Sequence, residues 1–190
     1  MEPEYKIFKT FFELNEEKLY YNQIKEYSKL SHSSVQNALE KLKKSKILIE
    51  EKTKSNKFYK IKDKKMFSLK FSQIAINKFK ELNHNIKTPL NHFLKNLPDD
   101  IYTIIIFGSA SRSEETKNSD IDLLIVSNKK YDLSKNKKEA EITSKYPLSI
   151  FYANILQFKE NKDDIIIQAR KTGFPIYKEQ NFYEVILNGY

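Results

Sequence analysis

The chain has no cysteine among its 190 residues, and this absence excludes a disulfide scaffold, a cysteine-based zinc finger, an iron–sulfur cluster and a cysteine nucleophile. Only three glycines and five prolines are present, which excludes a collagen-like or linker-dominated chain. Apolar runs such as Ile104–Phe107 fall far short of the roughly 20 residues that cross a bilayer. The first residues form no basic, apolar leader. We therefore expect a soluble cytoplasmic protein with no membrane partner.

Basic charge is abundant and unevenly distributed. The formal net charge is +9, and residues 41–65 contain 11 lysines against three acidic residues. A basic block of this density favours a polyanionic partner such as nucleic acid. The alternative is a solvated, lysine-rich surface. The 13 phenylalanines and 12 tyrosines supply enough bulky apolar material for a folded core.

The first 65 residues predict two helices, a tight turn, a third helix and a β-hairpin. Ser33 and Gln36 have the spacing of a capping box, so the third helix is predicted over residues 33–46. Val35, Ala38, Leu39 and Leu42 form its apolar face. The hairpin strands are predicted at 47–49 and 58–61.

This order of elements is similar to that of the winged helix-turn-helix family. The resemblance implies that the third helix presents its polar face to double-stranded DNA, because amides pair with adenine edges and lysines reach guanine or phosphate. The hairpin lysines would contact the backbone as a wing. The residues predicted to contact DNA are Ser34, Gln36, Asn37, Lys41, Lys44, Lys54 and Lys57. The alternative is a winged helix that binds another protein.

Residues 66–88 are predicted to form a linker helix. An apolar stripe runs along it from Phe71 to Ile86, and it either packs on neighbouring domains or forms the seam of a homodimer. Thr88 and Pro89 have the pattern of an N-cap followed by proline at the first helical position. They predict a second helix from Pro89 to Asn96.

Residues 89–190 predict a small domain in which strands alternate with helices. The predicted strands cover 102–107, 121–126, 148–153 and 176–177, and the predicted helices cover 132–145, 157–171 and 182–187. Gly108 and Ser109 follow the first strand, where glycine allows close approach of a phosphate. Asp120 and Asp122 lie two residues apart on a strand, so both carboxylates leave the same face. Such a pair suits Mg²⁺ or Mn²⁺ bound together with substrate phosphates.

The stretch from Gly108 to Leu123 resembles the signature of the polymerase-β-type nucleotidyltransferase superfamily, in particular its minimal nucleotidyltransferases. The pattern is an apolar residue, Gly-Ser, about ten residues and then Asp-apolar-Asp-apolar. The resemblance implies that Gly108, Ser109 and Arg112 bind a nucleoside triphosphate, and that Asp120 and Asp122 are catalytic residues that bind the metal. The predicted fold class is α+β: a winged helix-turn-helix domain (1–65), the linker helix (66–88) and a nucleotidyltransferase domain with a mixed sheet (89–190).

Active relatives usually carry a third acidic residue on a later strand, where this chain has Ser149. Glu114 and Glu115, just after the Gly-Ser turn, are candidate replacements. Two functions follow from these residues: transfer of a nucleoside monophosphate from an NTP–Mg²⁺ complex to an acceptor, or DNA-binding regulation by a chain whose transferase domain binds a nucleotide or partner without catalysis. A third, antitoxin-like role implies a small helical toxin-like partner.

Overall fold

The computed structural model describes residues 2–53 and 56–188. Lys54, one of the residues predicted to contact DNA, lies outside these ranges. The chain divides into two compact units, Met1–Ile74 and Ala75–Tyr190. Among the described residues, no helix is long and apolar enough to span a bilayer.

The first unit contains helices and a three-stranded antiparallel sheet of order β1–β3–β2. Its elements are α1 (Pro3–Leu14), β1 (Lys18–Tyr20), α2 (Tyr21–Ser28), α3 (His32–Lys44), β2 (Leu48–Lys52), β3 (Lys57–Ile61) and the first part of α4 (Lys64–Glu81). The buried face of α3 is the predicted one: Val35, Ala38, Leu39 and Leu42 are all 3% exposed or less.

Two details of this unit differ from the sequence-based expectation. Strand β1 was not predicted, because its three residues contain a single apolar side chain facing inward, Leu19. The predicted capping box at Ser33 was wrong. Ser31 is the N-cap of α3, and its hydroxyl accepts a hydrogen bond from the Ser34 amide at 3.2 Å. Several serines precede this helix, so sequence alone does not identify the one that caps it.

The predicted helix start at Thr88–Pro89 was also wrong. Helix α5 (His84–Phe93) begins earlier, with the Asn83 side chain accepting a hydrogen bond from the Asn85 amide at 3.0 Å. Pro89 therefore lies inside the helix. Ile86 and Leu90 are both buried, and an extended start at Thr88 would remove Ile86 from the apolar face that it shares with Leu90.

The second unit is built on a four-stranded mixed sheet of order β6–β5–β4–β7. Its strands are β4 (Thr103–Phe107), β5 (Ile121–Val126), β6 (Leu148–Ala153) and β7 (Phe174–Tyr177). Strand β5 runs parallel to β6 and antiparallel to β4, which is antiparallel to β7. The bounds predicted for β5 and β6 are confirmed to the residue, and the α+β class with a mixed sheet is confirmed.

The helices of this unit follow the predicted order with one division. They are α6 (Ser134–Ile142), α7 (Ile155–Glu160), α8 (Asp164–Thr172) and α9 (Glu179–Asn188). The single helix predicted over 157–171 is two helices. Asn161 ends α7 in the left-handed conformation at φ 54°, and the Asp163 carboxylate caps α8.

The apolar stripe on α4 and α5 is used within the chain. Phe71, Ile74, Ala75, Leu82 and Ile86 are each 5% exposed or less. These side chains are not available as the seam of a homodimer, and the homodimer stays a prediction without this support.

Candidate active site

The turn after β4 requires a glycine. Gly108 has φ +70°, and a Cβ built on it would lie 2.3 Å from the Asp122 Oδ2 atom. Since Phe107 pairs with Asp122 across β4 and β5, the Gly108 backbone lies directly against the Asp122 carboxylate. A side chain here would both strain the backbone and displace this carboxylate.

Two carboxylates leave one face of the sheet beside this turn. Asp122 is half-buried on β5, and Asp120 is exposed just before the strand. Leu124 lies on the same face as Asp122 because strand side chains alternate. The other face of β5 carries the buried Ile121 and Leu123, so the apolar residues anchor the strand and leave the acids at its start.

The charge of this pair is unfavourable without a counter-ion. Burial raises the pKa of the Asp122 carboxyl above its usual value, and the neighbouring Asp120 charge raises that pKa further. A divalent cation between the two carboxylates would remove both penalties. The donor set therefore fits Mg²⁺ or Mn²⁺, which prefer carboxylate oxygens and accept the remaining ligands from phosphate and water.

Ser149 lies beside this pair, on β6. It is the parallel-register partner of Asp122, and its hydroxyl donates a hydrogen bond of 2.8 Å to Asp120 Oδ2. The third-acid position inferred from the family resemblance is therefore next to the two aspartates in space. A neutral donor occupies it, which orients Asp120 and adds no negative charge.

The Gly108 carbonyl is fixed by residues of the following turn. The Ser111 hydroxyl is 2.8 Å from this carbonyl oxygen and 3.1 Å from the Thr172 carbonyl oxygen. Ser111 is 1% exposed. The sequence analysis did not identify Ser111 as part of the site, because its contacts with two backbone carbonyls depend on how the turn folds.

Arg112, predicted to bind the nucleotide, belongs to the same turn. Its Nη1 atom donates to the Gly108 carbonyl at 3.1 Å, and its Nε atom donates to Glu114 at 2.7 Å. Ser109 is partly exposed at the start of the short 3₁₀ turn Ala110–Arg112. Both side chains are therefore near the glycine turn, and Arg112 is exposed enough to exchange Glu114 for a phosphate.

The two candidate replacement acids have different surroundings. Glu114 is exposed and paired with Arg112. Glu115 accepts a hydrogen bond from the Asn83 side chain at 3.2 Å, and its second oxygen is buried with no partner among the described residues. Within residues 2–53 and 56–188, no cluster of three or more acidic or histidine side chains is arranged to hold a metal. A cation at Asp120 and Asp122 would therefore need oxygen ligands from substrate or water.

The residues predicted to contact DNA lie on α3 and on the hairpin. Gln36, Asn37 and Lys57 are exposed and line one cavity. Ser34 is half-buried in the N-cap network of α3, accepting a hydrogen bond of 2.8 Å from Ser31. Lys41 forms an ion pair of 2.5 Å with Glu4.

Lys44 is exposed at the end of α3. The described residues give it no ion-pair partner. It is thus a basic group on this face whose charge no described residue neutralises.

Comparison with known proteins identifies the second unit. A family model described as "Polymerase beta, Nucleotidyltransferase" matches residues 88–182, which is half of the chain and includes every residue of the glycine turn and the aspartate pair. No curated protein and no solved structure matches the chain. The superfamily generally uses a divalent metal and a nucleoside triphosphate. By this match the chain belongs to the polymerase beta nucleotidyltransferase family.

Proposed function

We propose that the second unit transfers a nucleoside monophosphate from an NTP–Mg²⁺ complex to an acceptor hydroxyl. In this step a bond forms between the acceptor oxygen and the α-phosphorus, and the bond to the β-phosphate oxygen breaks. Pyrophosphate leaves with that electron pair, and the acceptor proton passes to a base or to water. Positioning and charge stabilisation supply most of the rate in such reactions.

One observation carries this proposal: the Gly108 backbone lies so close to the Asp122 carboxylate that position 108 has no room for a side chain. This approach puts the backbone of the glycine turn directly beside two carboxylates. A cation on Asp120 and Asp122 would polarise the phosphates. Ser109 and Arg112 would bind their oxygens, because a hydroxyl and a guanidinium both donate to phosphate.

The second candidate is a nucleotide-binding regulator without catalysis. It is favoured by Ser149, which occupies the third-acid position and donates to Asp120. A serine hydroxyl does not accept the acceptor's proton near neutral pH. A positioned general base typically contributes about 10²- to 10⁴-fold to a rate, so turnover should be slow by that factor.

Nucleotide binding tests what both candidates share. ATP should bind in the presence of Mg²⁺ or Mn²⁺, and the double variant Asp120→Asn/Asp122→Asn should lose this metal-dependent binding in calorimetry. Asp132→Asn is the matched control, because Asp132 is an exposed aspartate at the start of α6. Equal ATP binding by the double variant and the control would contradict the proposed site.

Turnover separates the two candidates. With radiolabelled NTP and the chain itself or a cell extract as acceptor, Ser149→Asp should increase label transfer if the missing base limits the rate. Ser149→Ala should not increase it. If Ser149→Asp gives no gain and Glu114→Gln removes existing transfer, then Glu114 is the base. Metal-dependent ATP binding with no transfer by any of these proteins would favour the regulator.

For the first unit we propose a winged helix that binds double-stranded DNA. The order of α1, β1, α2, α3 and the β2–β3 hairpin supports it, as do the exposed Gln36 and Asn37 on α3. Binding to a pool of random duplexes at low salt tests it. Gln36→Ala or Asn37→Ala should change sequence preference, since a lost bidentate contact costs about 1–3 kcal/mol. Failure to bind any duplex would favour a protein-binding role, including one with a small helical toxin-like partner.

A further inference from the structure

A cavity of about 510 Å³ lies in the first unit, lined by residues of α3, the start of α2 and the strands β2 and β3. Its volume is within the range of roughly 300–1,000 Å³ typical of small-molecule sites. Gln36 and Asn37 line it, so it shares two side chains with the proposed DNA-contacting face. Nothing in the transferase reaction requires this cavity.

The chemistry of the lining favours a neutral, polar and aromatic ligand. Amides on α3 and a hydrogen-bonded pair, the Tyr21 hydroxyl and His32 Nδ1 at 2.7 Å, provide both donors and acceptors. The acidic side chain of Glu50 is neutralised by ion pairs to Lys43 at 2.7 Å and to Lys52 at 3.3 Å. Glu40 is also paired with Lys43, at 2.6 Å, and the exposed Lys57 adds one positive charge to the lining. A cationic ligand therefore gains little from this lining.

One tyrosine presents an unpartnered hydroxyl to the cavity. Tyr59 lines the cavity and is 5% exposed as a residue. Its hydroxyl makes no hydrogen bond within residues 2–53 and 56–188, and it is not among their buried unpartnered atoms, so it is open to the cavity. Burial, and next the Glu50 charge, raise the pKa of Tyr59 to about 12, so the hydroxyl is a donor at neutral pH. A ligand acceptor in the cavity could therefore receive a hydrogen bond from this hydroxyl without displacing a partner within the described residues.

We propose that this cavity binds a nucleobase. A nucleobase is flat and neutral, and its edge carries adjacent ring N–H, amino and carbonyl groups. Its carbonyl or ring nitrogen would accept from Tyr59, its N–H groups would donate to Glu50 or to the α3 amides, and its faces would contact the phenol ring of Tyr21. The proposal extends the DNA-binding function proposed above for the first unit. It rests on that function only if the base belongs to a nucleic-acid strand, and not if the base belongs to a free nucleoside.

The test uses the full chain with its transferase site silenced. Adenosine, guanosine, cytidine and uridine are titrated into the Asp120→Asn/Asp122→Asn protein with chelator, by calorimetry and by ¹⁵N-resolved NMR. At least one should bind. Tyr59→Phe should weaken its binding by up to about tenfold, the loss of one hydrogen bond. Tyr27→Phe is the control, because Tyr27 is 47% exposed in the same unit and outside the cavity. Gln36→Ala should also weaken binding and covers the case in which Tyr59→Phe does not fold.

A second experiment determines whether the bound base belongs to a free nucleoside or to a nucleic-acid strand. A duplex with one unpaired base is compared with the same duplex fully paired. Tyr59-dependent binding of free nucleosides identifies a soluble ligand, and Tyr59-dependent preference for the unpaired base identifies a strand. If neither ligand binds in a Tyr59-dependent way, the proposal is overturned. Normal binding of the paired duplex in that case would leave the DNA proposal intact, so the two failures are distinguishable.

Discussion

Gly108 and Asp122 are the pair of residues on which the site geometry depends. The left-handed turn costs an L-residue about 1–2 kcal/mol, and the carboxylate 2.3 Å from an added Cβ must also move. Gly-Ser and Asp-x-Asp were recognisable in the sequence, but their close contact was not. It arises from the pairing of Phe107 with Asp122 across two strands, which a linear motif does not encode.

Gly108→Ala should therefore lower both stability and ligand affinity. We expect unfolding free energy to fall by at least about 1–2 kcal/mol and Mg²⁺-dependent ATP binding to be lost, measured by urea unfolding and calorimetry. Ser113→Gly is a matched control in the same turn. Ser113 has φ +57°, so glycine there should relieve strain and leave ATP binding unchanged. An unaltered Gly108→Ala protein would contradict the close approach.

Asp122 should stabilise the fold in its protonated form and bind a cation in its ionised form, so stability and binding should depend on pH in opposite ways. Its folded-state pKa is raised above the unfolded value of 3.8, so its protonated form stabilises the fold. That stabilisation is complete below the unfolded pKa and is lost as pH rises through the folded pKa. Asp122→Asn should therefore raise Tm at pH 7, and the gain should disappear below pH 3.8.

A carboxylate with the opposite shift provides the control. A hydrogen bond from the Ser134 backbone lowers the pKa of Asp132, so Asp132→Asn should not raise Tm at pH 7. Mg²⁺ with ATP should raise Tm for the parent chain and not for Asp122→Asn. A lower Tm for Asp122→Asn at pH 7 would show that the ionised carboxylate is stabilised by its surroundings.

At the scale of elements, predictions succeeded where burial decided the structure. Strands β5 and β6 were predicted to the residue because each is apolar except for one polar side chain, Asp122 or Ser149. Helix ends were less predictable. Ser31, Ser33 and Thr88 all have suitable cap chemistry, and tertiary packing determines which residues are used. Strand β1 has too few residues to produce an alternating pattern.

Substitutions at Ser31 and Ser33 test directly which serine caps α3. Ser31→Ala should lower the unfolding free energy by about 1 kcal/mol, because the Ser34 amide loses its acceptor. Ser33→Ala is the control and should change it by less than about 0.5 kcal/mol, as surface substitutions usually do. Urea unfolding of both variants measures the difference. A larger loss for Ser33→Ala would restore the capping box predicted from the sequence.

At the scale of the whole molecule, fewer lysines are free to bind a polyanion than the number of lysines suggests. Lys41 pairs with Glu4, and Lys43 pairs with Glu40 and Glu50. Composition alone could not reveal this internal neutralisation, because Glu4 lies on α1 and Glu50 on β2, away from their α3 partners. Exposed ion pairs are weak, so Lys41 can still exchange its partner for a phosphate, though with less gain than an unpaired lysine.

DNA affinity should depend steeply on salt, and individual lysines should contribute unequally. Each neutralised phosphate adds about 0.9 to the slope of log K against log salt. Lys44→Ala should reduce that slope by about this amount, and Lys41→Ala by less. Lys135→Ala, which removes an exposed lysine of the second unit, should leave it unchanged. Fluorescence anisotropy from low to moderate salt measures the slopes, and equal slopes for all three would contradict a footprint on α3.

The position of β6 at the end of the four-stranded sheet has a consequence for handling the protein. Its six residues, Leu148–Ala153, carry no charge, and Tyr152 is 43% exposed. An uncharged edge strand with two aromatic residues and an isoleucine is a template for intermolecular strand addition. Concentrated or gently heated samples should therefore form aggregates that nucleate at this strand. Tyr152→Lys should suppress them without changing Ser149 or the two aspartates.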